Sequence, residues 1–403
     1  MKRNTLTLVV LLAATLLVGG LAAWKLAHDE SAVASPAKMG ELLPQLSKSI
    51  NDVASITLQR KDGTATLQRA DSGGWGLVER NGYPVDPDAV RQTLIALAQL
   101  TPLEAKTDDP ARYAKLGVQE PDAEGSTSTL VTLKDKAGKE LAKLLVGKQS
   151  EGKGGMPSGN TYVCVAGEKQ SWLAKGSPEL KEKPTDWLKK QVIEVKRDRV
   201  RSVEVRHPDG EVVHVERAAP KDTNFELSGI PEGQELSYPS VAGSLGSALE
   251  YLNLEDVQPA DKVDFTQGAG PTSEFRTFDG LKVTVHVKED GDKCYARFEA
   301  AYEAPAQVGP PAPAPAEAGA EGAKPPEAAQ KKPEEVQKEA SELQDRLSKW
   351  VYQIPAYNKA NFTKHLKDML KAKTPPAPPP GEVTPPAEGQ KPADEKPADE
   401  KPH

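Results

Sequence analysis

The chain has 403 residues, which is enough for two or three domains of ordinary size. Its 52 lysines and arginines are outnumbered by 59 aspartates and glutamates, so the formal net charge is −7. A nucleic-acid-binding protein usually presents a basic face with interleaved aromatic side chains, and aromatic residues make up only 5% of this chain. We therefore predict no nucleic-acid partner.

A long apolar run lies at the N-terminus. After two basic residues, an almost unbroken apolar stretch extends from Leu6 to Trp24, close to the ~20 residues that a membrane-spanning helix needs. We predict a cytoplasmic N-terminus over residues 1–5, a single transmembrane helix over 6–27 and a linker over 28–50. Basic residues favour the cytoplasmic side. The rest of the chain is therefore expected outside the cytoplasmic membrane of a bacterium, with the bilayer as the partner of residues 6–27.

A cleaved signal peptide is the alternative for this segment, because Ala32-Val33-Ala34 has the small-x-small pattern of a cleavage site. The apolar run is longer than the ~7 to 15 residues of a signal-peptide core, and it ends well before that site. Retention as an anchor is therefore favoured over cleavage. The segment contains no cysteine, so a lipoprotein is not supported.

The body of the chain carries the same series of patterns twice. Apolar residues alternate on both sides of Asp62-Gly63, and again on both sides of Asp209-Gly210, which is typical of β-hairpins. The second turn needs one extra residue to keep its apolar face in phase, because a one-residue slip moves every side chain to the other face of the sheet. A third strand is predicted after each hairpin, at Trp75–Leu77 and at Phe225–Leu227.

A helical pattern follows each set of strands. Tyr-Pro occurs at Tyr83-Pro84 and at Tyr238-Pro239, and each pair precedes apolar residues spaced i, i+4 and i+7 along one helix face. These residues are Val90, Leu94 and Leu97 in the first copy and Leu245, Leu249 and Leu252 in the second. Each copy is therefore predicted to begin with three short strands and a helix.

Further strands and a terminal helix complete each copy. The predicted strands are Leu130–Leu133, Leu141–Val146 and Tyr162–Val165 in the first copy, and Phe275–Phe278, Leu281–Val287 and Tyr295–Phe298 in the second. Each copy then has a helical stretch that holds a tryptophan, Trp187 or Trp350. The order of strands, helix, strands and helix favours an α+β fold with antiparallel sheets over an alternating parallel one.

The predicted architecture is an α+β fold of two tandem repeats of antiparallel strands plus helix, preceded by one transmembrane helix. The first repeat is expected at residues 51–196 and the second at 197–373. Two stretches consist mainly of Ala, Pro, Glu and Lys: an insertion at 304–333 and a tail at 374–403. Such compositions bury too little apolar surface to offset chain entropy, so we predict both to be disordered.

Motifs of catalysis or cofactor binding are missing from the sequence. It has no nucleophile elbow, no His-Glu-x-x-His and no dinucleotide-binding glycine fingerprint. Gly147-Lys148 lacks the upstream glycine of a phosphate-binding loop and is interpreted as the end of a strand. Glu289–Asp292 lacks the ligand spacing of a calcium loop and is interpreted as a turn. We therefore nominate no catalytic, cofactor-binding or metal-binding residue.

The cysteines and histidines show no metal-binding spacing either. Cys164 and Cys294 are expected as separate buried thiols rather than as a disulfide, because a chain of this size needs no disulfide framework. A basic stretch from Lys181 to Arg201 is interspersed with acidic residues, so a solvated surface is favoured over contact with anionic lipid or an acidic partner. Five scattered histidines are interpreted as ordinary residues rather than ligands: His28, His207, His214, His286 and His365.

The turn and strand residues of the first copy resemble a bacterial family of domains of unknown function, of the 4340 type. The likeness spans about residues 47–196, and the second copy follows it more weakly. It is carried by Asn51-Asp52-Val53, Ile56, Asp62-Gly63, Trp75-Gly76-Leu77, Tyr83-Pro84-Val85-Asp86, Leu94–Leu97, Tyr113–Gly117 before Pro121, Leu145-Val146-Gly147-Lys148 and Tyr162-Val163. The resemblance implies a membrane-anchored auxiliary component encoded beside ABC-2-type permeases or gliding-motility exporters, and it implies no catalytic residues.

These observations lead to three functional hypotheses. The first is a non-enzymatic, membrane-anchored accessory or scaffold protein outside the cytoplasm, associated with an ABC-type export or cell-surface complex and with an ABC-2-type permease as its partner. The second is an extracytoplasmic binding module for a cell-wall polymer or a small ligand. The third, which has the least support, is a hydrolase whose residues assemble only in the folded chain.

Overall fold

The computed structural model describes residues 40–266, 268–305 and 331–373. Two large sheets, in which all the paired strands are antiparallel, form the body of the described chain. The first sheet has nine strands and is built from residues before 176, and the second has eight strands and is built from residues after 199. Two short two-stranded pairs accompany them.

The first sheet is built around the predicted hairpin. Its strands are β1 (Val53–Arg60), β2 (Gly63–Arg69), β3 (Trp75–Leu77), β4 (Tyr83–Pro84), β5 (Thr101–Ala105), β6 (Thr129–Asp135), β7 (Glu140–Glu151), β8 (Pro157–Val165) and β9 (Ser171–Lys175). They lie in the order β4-β3-β2-β1-β6-β7-β8-β9-β5. The chain therefore runs along the sheet from neighbour to neighbour, except that β5 crosses to the far edge.

The second sheet is built in the same way. The strands that follow β9 are β10 (Gln191–Ile193), β11 (Val200–Arg206), β12 (Val212–Glu216), β13 (Glu226–Leu227), β14 (Gln234–Leu236), β15 (Leu252–Asn253), β16 (Asp256–Pro259), β17 (Ala269–Thr277), β18 (Leu281–Asp290), β19 (Lys293–Tyr302), β20 (Trp350–Ile354) and β21 (Leu370–Ala372). Of these, β10 pairs with β15 and β14 with β21 in the two short pairs, and the other eight form the second sheet. The eight-stranded order is β13-β12-β11-β17-β18-β19-β20-β16. Read strand by strand, this order repeats that of the first sheet from β3 to β5.

Helices are short and lie against the sheets. They are α1 (Pro44–Ser49), α2 (Pro87–Ala98), α3 (Tyr113–Leu116), α4 (Val241–Gly246), α5 (Pro333–Leu347), α6 (Ala356–Thr363) and α7 (Leu366–Met369). Helix α2 begins at a capped N-terminus, where the Asp86 side chain accepts hydrogen bonds from the backbone N–H groups of Asp88 and Ala89. Its buried residues include Val90, Leu94 and Leu97, which confirms the predicted apolar face.

Both hairpins form as their alternation predicts. Ile56 lies opposite Leu67 in the first hairpin, and Val203 lies opposite Val215 in the second. The chain from Val203 to Val215 is one residue longer than the chain from Ile56 to Leu67. The predicted extra residue in the second turn is therefore confirmed. The apolar residues of both hairpins are buried while their neighbours in sequence are more exposed, because side chains alternate between the faces of a strand.

An arginine over an aromatic ring closes the end of each hairpin. The guanidinium carbon of Arg69 lies 5.3 Å from the centre of the Trp75 ring, and that of Arg217 lies 5.0 Å from the centre of the Phe225 ring. Arg217 is buried and donates to five backbone carbonyl groups, among them those of Val200 and Asp222. The recurring Arg–aromatic contact joins the second strand of each hairpin to the third.

The two repeats share one hydrophobic core. The Tyr83 ring meets the Trp350 ring edge to face at 5.1 Å and the Tyr352 ring at 6.2 Å. Beside them, Arg80 Nε and Nη2 donate to the two carboxylate oxygens of Asp256 at 2.5 and 2.9 Å. Strand β4 at the edge of the first sheet therefore packs against β20 of the second, and the turn before β4 contacts β16.

The predicted fold class is wrong. The structure consists mostly of antiparallel β-sheets, with about 40% strand and 25% helix. Described residues contain no helix long and apolar enough to cross a membrane, and the predicted transmembrane helix is not supported. Residues 1–39, which hold that segment, lie outside the described residues, as do 306–330 of the predicted disordered insertion and the tail 374–403.

Two predicted helices of the second repeat are also wrong. Helix α4 ends at Gly246, so Leu249 follows it in a turn and Leu252 opens β15. Glycine disfavours helix by about 1 kcal/mol relative to alanine, and a Cβ on Gly246 would lie 2.4 Å from the Phe225 ring. Trp350 opens strand β20 instead of lying on a helix, because it follows α5 and pairs with Pro259 of β16.

We expect Gly147→Ala to destabilise the first repeat. Gly147 lies in β7, where a Cβ would stand 2.4 Å from the carbonyl oxygen of Leu116 and 2.8 Å from that of Gly117. Such overpacking against the backbone should lower the free energy of unfolding by about 1–3 kcal/mol, measured by urea denaturation. Gly74→Ala is the matched control, since nothing lies within 4 Å of a Cβ at that position. Equal stability of the two variants would contradict the packing.

We expect the Arg80–Asp256 pair to couple the two repeats energetically. Both side chains are largely shielded, with 29% and 27% of their surface exposed, and the pair is bidentate. In a double-mutant cycle of Arg80→Ala and Asp256→Ala, the coupling energy should be about 1–2 kcal/mol. The exposed pair Arg91–Asp88 on α2 is the control and should give a value near zero. A coupling no larger than that of the control would contradict a stabilising role.

Candidate functional site

The two repeats differ in chemistry where the turn of each hairpin meets the end of its own repeat. In the second repeat this junction brings together His207, Glu211 and His365, which we call the histidine clasp. His207 follows β11, Glu211 belongs to the longer turn before β12, and His365 lies between α6 and α7. The clasp thus ties the C-terminal helices to the first hairpin of their repeat.

Glu211 is the centre of the clasp. One of its carboxylate oxygens accepts a hydrogen bond from the backbone N–H of Leu366 at 2.7 Å, and the other contacts Nδ1 of His365. The hydrogen bond from His365 is the main reason that the pKa of Glu211 lies below its ordinary value. Glu211 is therefore a carboxylate at neutral pH, and it holds the segment that begins α7.

The two imidazole rings stack on each other. Their centres are 3.8 Å apart and their planes differ by 19°. Nε2 of His207 lies 3.2 Å from the carbonyl oxygen of Lys364, so this nitrogen also faces the C-terminal segment. Two backbone hydrogen bonds close the turn. The N–H of His207 donates to the carbonyl oxygen of Glu211, and the N–H of Gly210 donates to the carbonyl oxygen of His207.

The clasp has the residue types of a zinc site but not its geometry. Two imidazoles and a carboxylate within 4.8 Å of one another are suitable ligands for Zn²⁺. Each imidazole binds a metal in the plane of its ring, and two nearly parallel planes 3.8 Å apart cannot share one ion in their planes. Both oxygens of Glu211 already accept protein hydrogen bonds. The arrangement therefore fits a hydrogen-bonded clasp better than a metal centre.

The other described histidines lie on the charged outer face of the second sheet. His214 lies 3.6 Å from Glu204 and from Glu216, and His286 lies 3.5 Å from Glu299. Both residues lie in strands, His214 in β12 and His286 in β18. Histidine 28 lies outside the described residues. The sequence analysis missed the convergence of His207 with His365, because 158 positions separate them and no short spacing links them.

The first repeat has a cavity at the corresponding junction. It measures about 510 Å³ and lies between the turn of the first hairpin, the segment 126–128 and the segment 181–184. Arg60, which stands at the same step of its hairpin as His207, lines this cavity and donates from Nη2 to the carbonyl oxygen of Leu180 at 2.8 Å. The hairpin turn meets the end of the repeat here too, but through an arginine.

The structure also places the two cysteines and the predicted turn at Glu289–Asp292. Cys164 and Cys294 are free and buried, which confirms the expectation of separate thiols. Burial raises the pKa of Cys294 to about 11, so this thiol is protonated at neutral pH. Residues Gly291 and Asp292 form the turn between β18 and β19, as predicted.

Arginines of the basic stretch are engaged within the protein. Arg199 donates to both carboxylate oxygens of Glu339 on α5, at 2.9 and 3.0 Å, and it also pairs with Asp279. Arg201 donates to Glu216 at 3.0 Å. These two guanidinium groups therefore have carboxylate partners within the protein, and Arg199 and its partners are largely buried rather than solvated.

We expect the clasp to contribute stability that is lost in acid. A carboxyl group whose pKa is lowered by folding stabilises the folded state above its ordinary pKa of 4.5, and this contribution disappears as the pH falls through the lowered value. Glu211→Gln should therefore cost about 1 kcal/mol at pH 7 and should lose less stability than the wild type between pH 5 and pH 3. Thermal unfolding across this range measures both effects.

The control for this experiment is Glu232→Gln, at an exposed glutamate in the turn before β14. It should follow the wild-type pH dependence. If Glu211→Gln also follows the wild-type curve, then the carboxylate of Glu211 does not hold the C-terminal helices.

Residues 75–269 match the family model described as Domain of unknown function (DUF4340). This range begins at β3 of the first repeat and ends at the first residue of β17, so it takes in parts of both repeats. No match to a curated protein was found. The match supports the resemblance to a family of unknown function.

Proposed function

We propose that the chain is a non-enzymatic accessory or scaffold protein that acts outside the cytoplasm as part of an ABC-type export or cell-surface complex. The observation that carries the proposal is the junction of the repeats. Tyr83 packs against Trp350 and Tyr352, and Arg80 pairs with Asp256. Two similar sheets held in one fixed orientation suit a protein whose task is to hold partners in place.

Two tyrosines with raised pKa values lie in packed contacts rather than in a pocket. Burial raises the pKa of Tyr83 to about 12 and also raises that of Tyr352. Both tyrosines lie in the contact between the repeats rather than in a cleft. Catalytic acids and bases usually combine a perturbed pKa with an open pocket, and these groups combine it with tight packing.

Association with an ABC-type permease can be tested by site-specific cross-linking. A photo-reactive amino acid placed at Tyr251 or Tyr357, whose side chains are 74% and 73% exposed, should leave the fold intact. The proposal expects a covalent product with a subunit of the permease complex in intact bacteria, identified by mass spectrometry. A photo-reactive amino acid at Met156, which is 72% exposed, tests contacts made by the first repeat. No product at any of the three positions at native expression would contradict the proposal.

The extracytoplasmic location predicts a pattern of cysteine labelling. Both native thiols are buried, each with 2% of its surface exposed, so the wild-type chain should not react with a membrane-impermeant maleimide. Tyr251→Cys should be labelled in intact spheroplasts, because its side chain is exposed. Labelling is read as a mass increase of the purified chain.

The control for this experiment is the same variant labelled after lysis. It defines the full extent of reaction in the folded protein. Labelling that occurs only after lysis would place the body of the chain in the cytoplasm and contradict the proposed location.

A second candidate function is a binding module for a small ligand or a cell-wall polymer. The cavity of about 510 Å³ in the first repeat favours it, because ligand pockets commonly measure about 300–1,000 Å³. A broad thermal-shift screen of glycans and metabolites tests it, and the absence of any saturable shift would contradict it.

A further inference from the structure

The cavity of the first repeat has the lining of an anion-binding site. Its walls carry four basic side chains, those of Arg60, Lys61, Lys181 and Lys183, against two acidic ones, Asp62 and Glu182. The lining therefore has a net charge of +2 at neutral pH, of which the charge on Lys181 is paired with Glu179. A concave surface with excess positive charge attracts anions more strongly than a flat one, because the protein walls have a low dielectric constant.

Arg60 has donors to spare. A guanidinium group has five N–H donors, and among the described residues Arg60 uses Nη2 for the carbonyl oxygen of Leu180. Its Nε is buried and has no hydrogen-bond partner in the described part of the chain. An unpaired buried donor on a charged group is costly, so this arginine would gain from an oxygen ligand.

Hydroxyl groups complete the wall of the cavity. Ser128 and Ser126 are 2% and 9% exposed, and their Oγ atoms lie 3.0 Å apart. Thr127 lies between them and also lines the cavity. Serine and threonine hydroxyls both donate and accept hydrogen bonds. The site thus combines charge with neutral donors, as is usual in pockets that bind small polar molecules.

In the second repeat a carboxylate of the chain itself occupies the corresponding junction. There the longer turn supplies Glu211, whose carboxylate is bound by His365 and by the N–H of Leu366. The shorter turn of the first repeat has Asp62-Gly63 and then Thr64, without the extra residue that the second turn holds. A protein carboxylate thus closes one junction, and the corresponding junction has an arginine and an open cavity.

We propose that the cavity of the first repeat binds a small oxyanion, a carboxylate or a phosphate, through Arg60, in the role that Glu211 has in the second repeat. The proposal rests on the second of the two candidate functions and names the class of ligand. Lys61 and Lys183 contribute charge from the rim, and the buried serines contribute hydroxyl groups. The anion in the first repeat would be a separate molecule, whereas the carboxylate in the second repeat is the side chain of Glu211.

The test is a titration of the full chain with sodium malonate and, separately, with sodium phosphate, followed by thermal unfolding. Sodium chloride at equal ionic strength is the reference. At least one of the two anions should raise the melting temperature along a saturable curve. A response to malonate alone assigns the site to carboxylates, and a response to phosphate alone assigns it to phosphates. No response beyond that of chloride would overturn the proposal.

Variants of the basic residues locate the binding site. Arg60→Gln should weaken binding at least about tenfold, whereas Arg91→Gln, at an exposed arginine on α2, should leave it unchanged. Lys183→Gln should weaken binding about two- to fivefold, with the exposed Lys136→Gln as its control. The lysine variants change only exposed side chains, so they decide the question even if Arg60→Gln does not fold. Equal affinity in Lys183→Gln and Lys136→Gln would place the anion elsewhere.

A neutral oligosaccharide forms the last arm of the test. Its result distinguishes failure of the oxyanion proposal from failure of the binding-module function. A saturable shift with the oligosaccharide and none with either anion would overturn the oxyanion proposal while the binding-module function stands. Absence of a shift with all three would contradict both.

Discussion

The packing of Tyr83 against Trp350 and Tyr352 is the contact on which the two-repeat body depends. Tyr83 lies in the edge strand β4 of the first sheet, and Asp256 lies in the edge strand β16 of the second. An exposed edge strand is a ready site for pairing with another chain. The contacts of Tyr83 with β20, and of Arg80 with Asp256 of β16, occupy part of these two edges and join the two hydrophobic layers into one core.

The parts of the fold that could be predicted are those in which the deciding contacts are local. Both hairpins follow from alternation around Asp-Gly, and α2 follows from an Asp cap and a regular apolar face. The short helix α4 could not be predicted, because its end depends on Gly246 meeting Phe225, which is distant in sequence. Strand β20 was mistaken for helix because its tryptophan follows a long helix and its pairing partners lie in other segments. The histidine clasp was missed for the same reason: its residues come together only through the fold.

The two junctions between hairpin and C-terminal segment show how the copies have diverged on one backbone plan. A single added residue in the second turn places Glu211 beside His365, and the C-terminal helices close over it. In the first repeat the segment near Leu180 passes the hairpin turn. Arg60 donates to the carbonyl oxygen of Leu180, and a cavity remains beside the two residues. The strand order that surrounds both junctions is the same, so the difference lies in a turn and a connection and not in the sheets.

The same rule applies to the largest difference between the copies, the connection that follows β8 and β19. In the first repeat five residues, 166–170, join β8 to β9, whereas in the second repeat residues 303–349 separate β19 from β20. The long connection ends in α5, which buries Val336, Ala340 and Leu347 and is bound through Glu339 by Arg199. An insertion anchored in this way does not disturb the pairing of β19 with β20, because the buried face of α5 and its contact with Arg199 hold the end of the connection against the sheet. The sheets can therefore stay constant while the connections change, and the features that distinguish one repeat from the other are accordingly found in turns and connections.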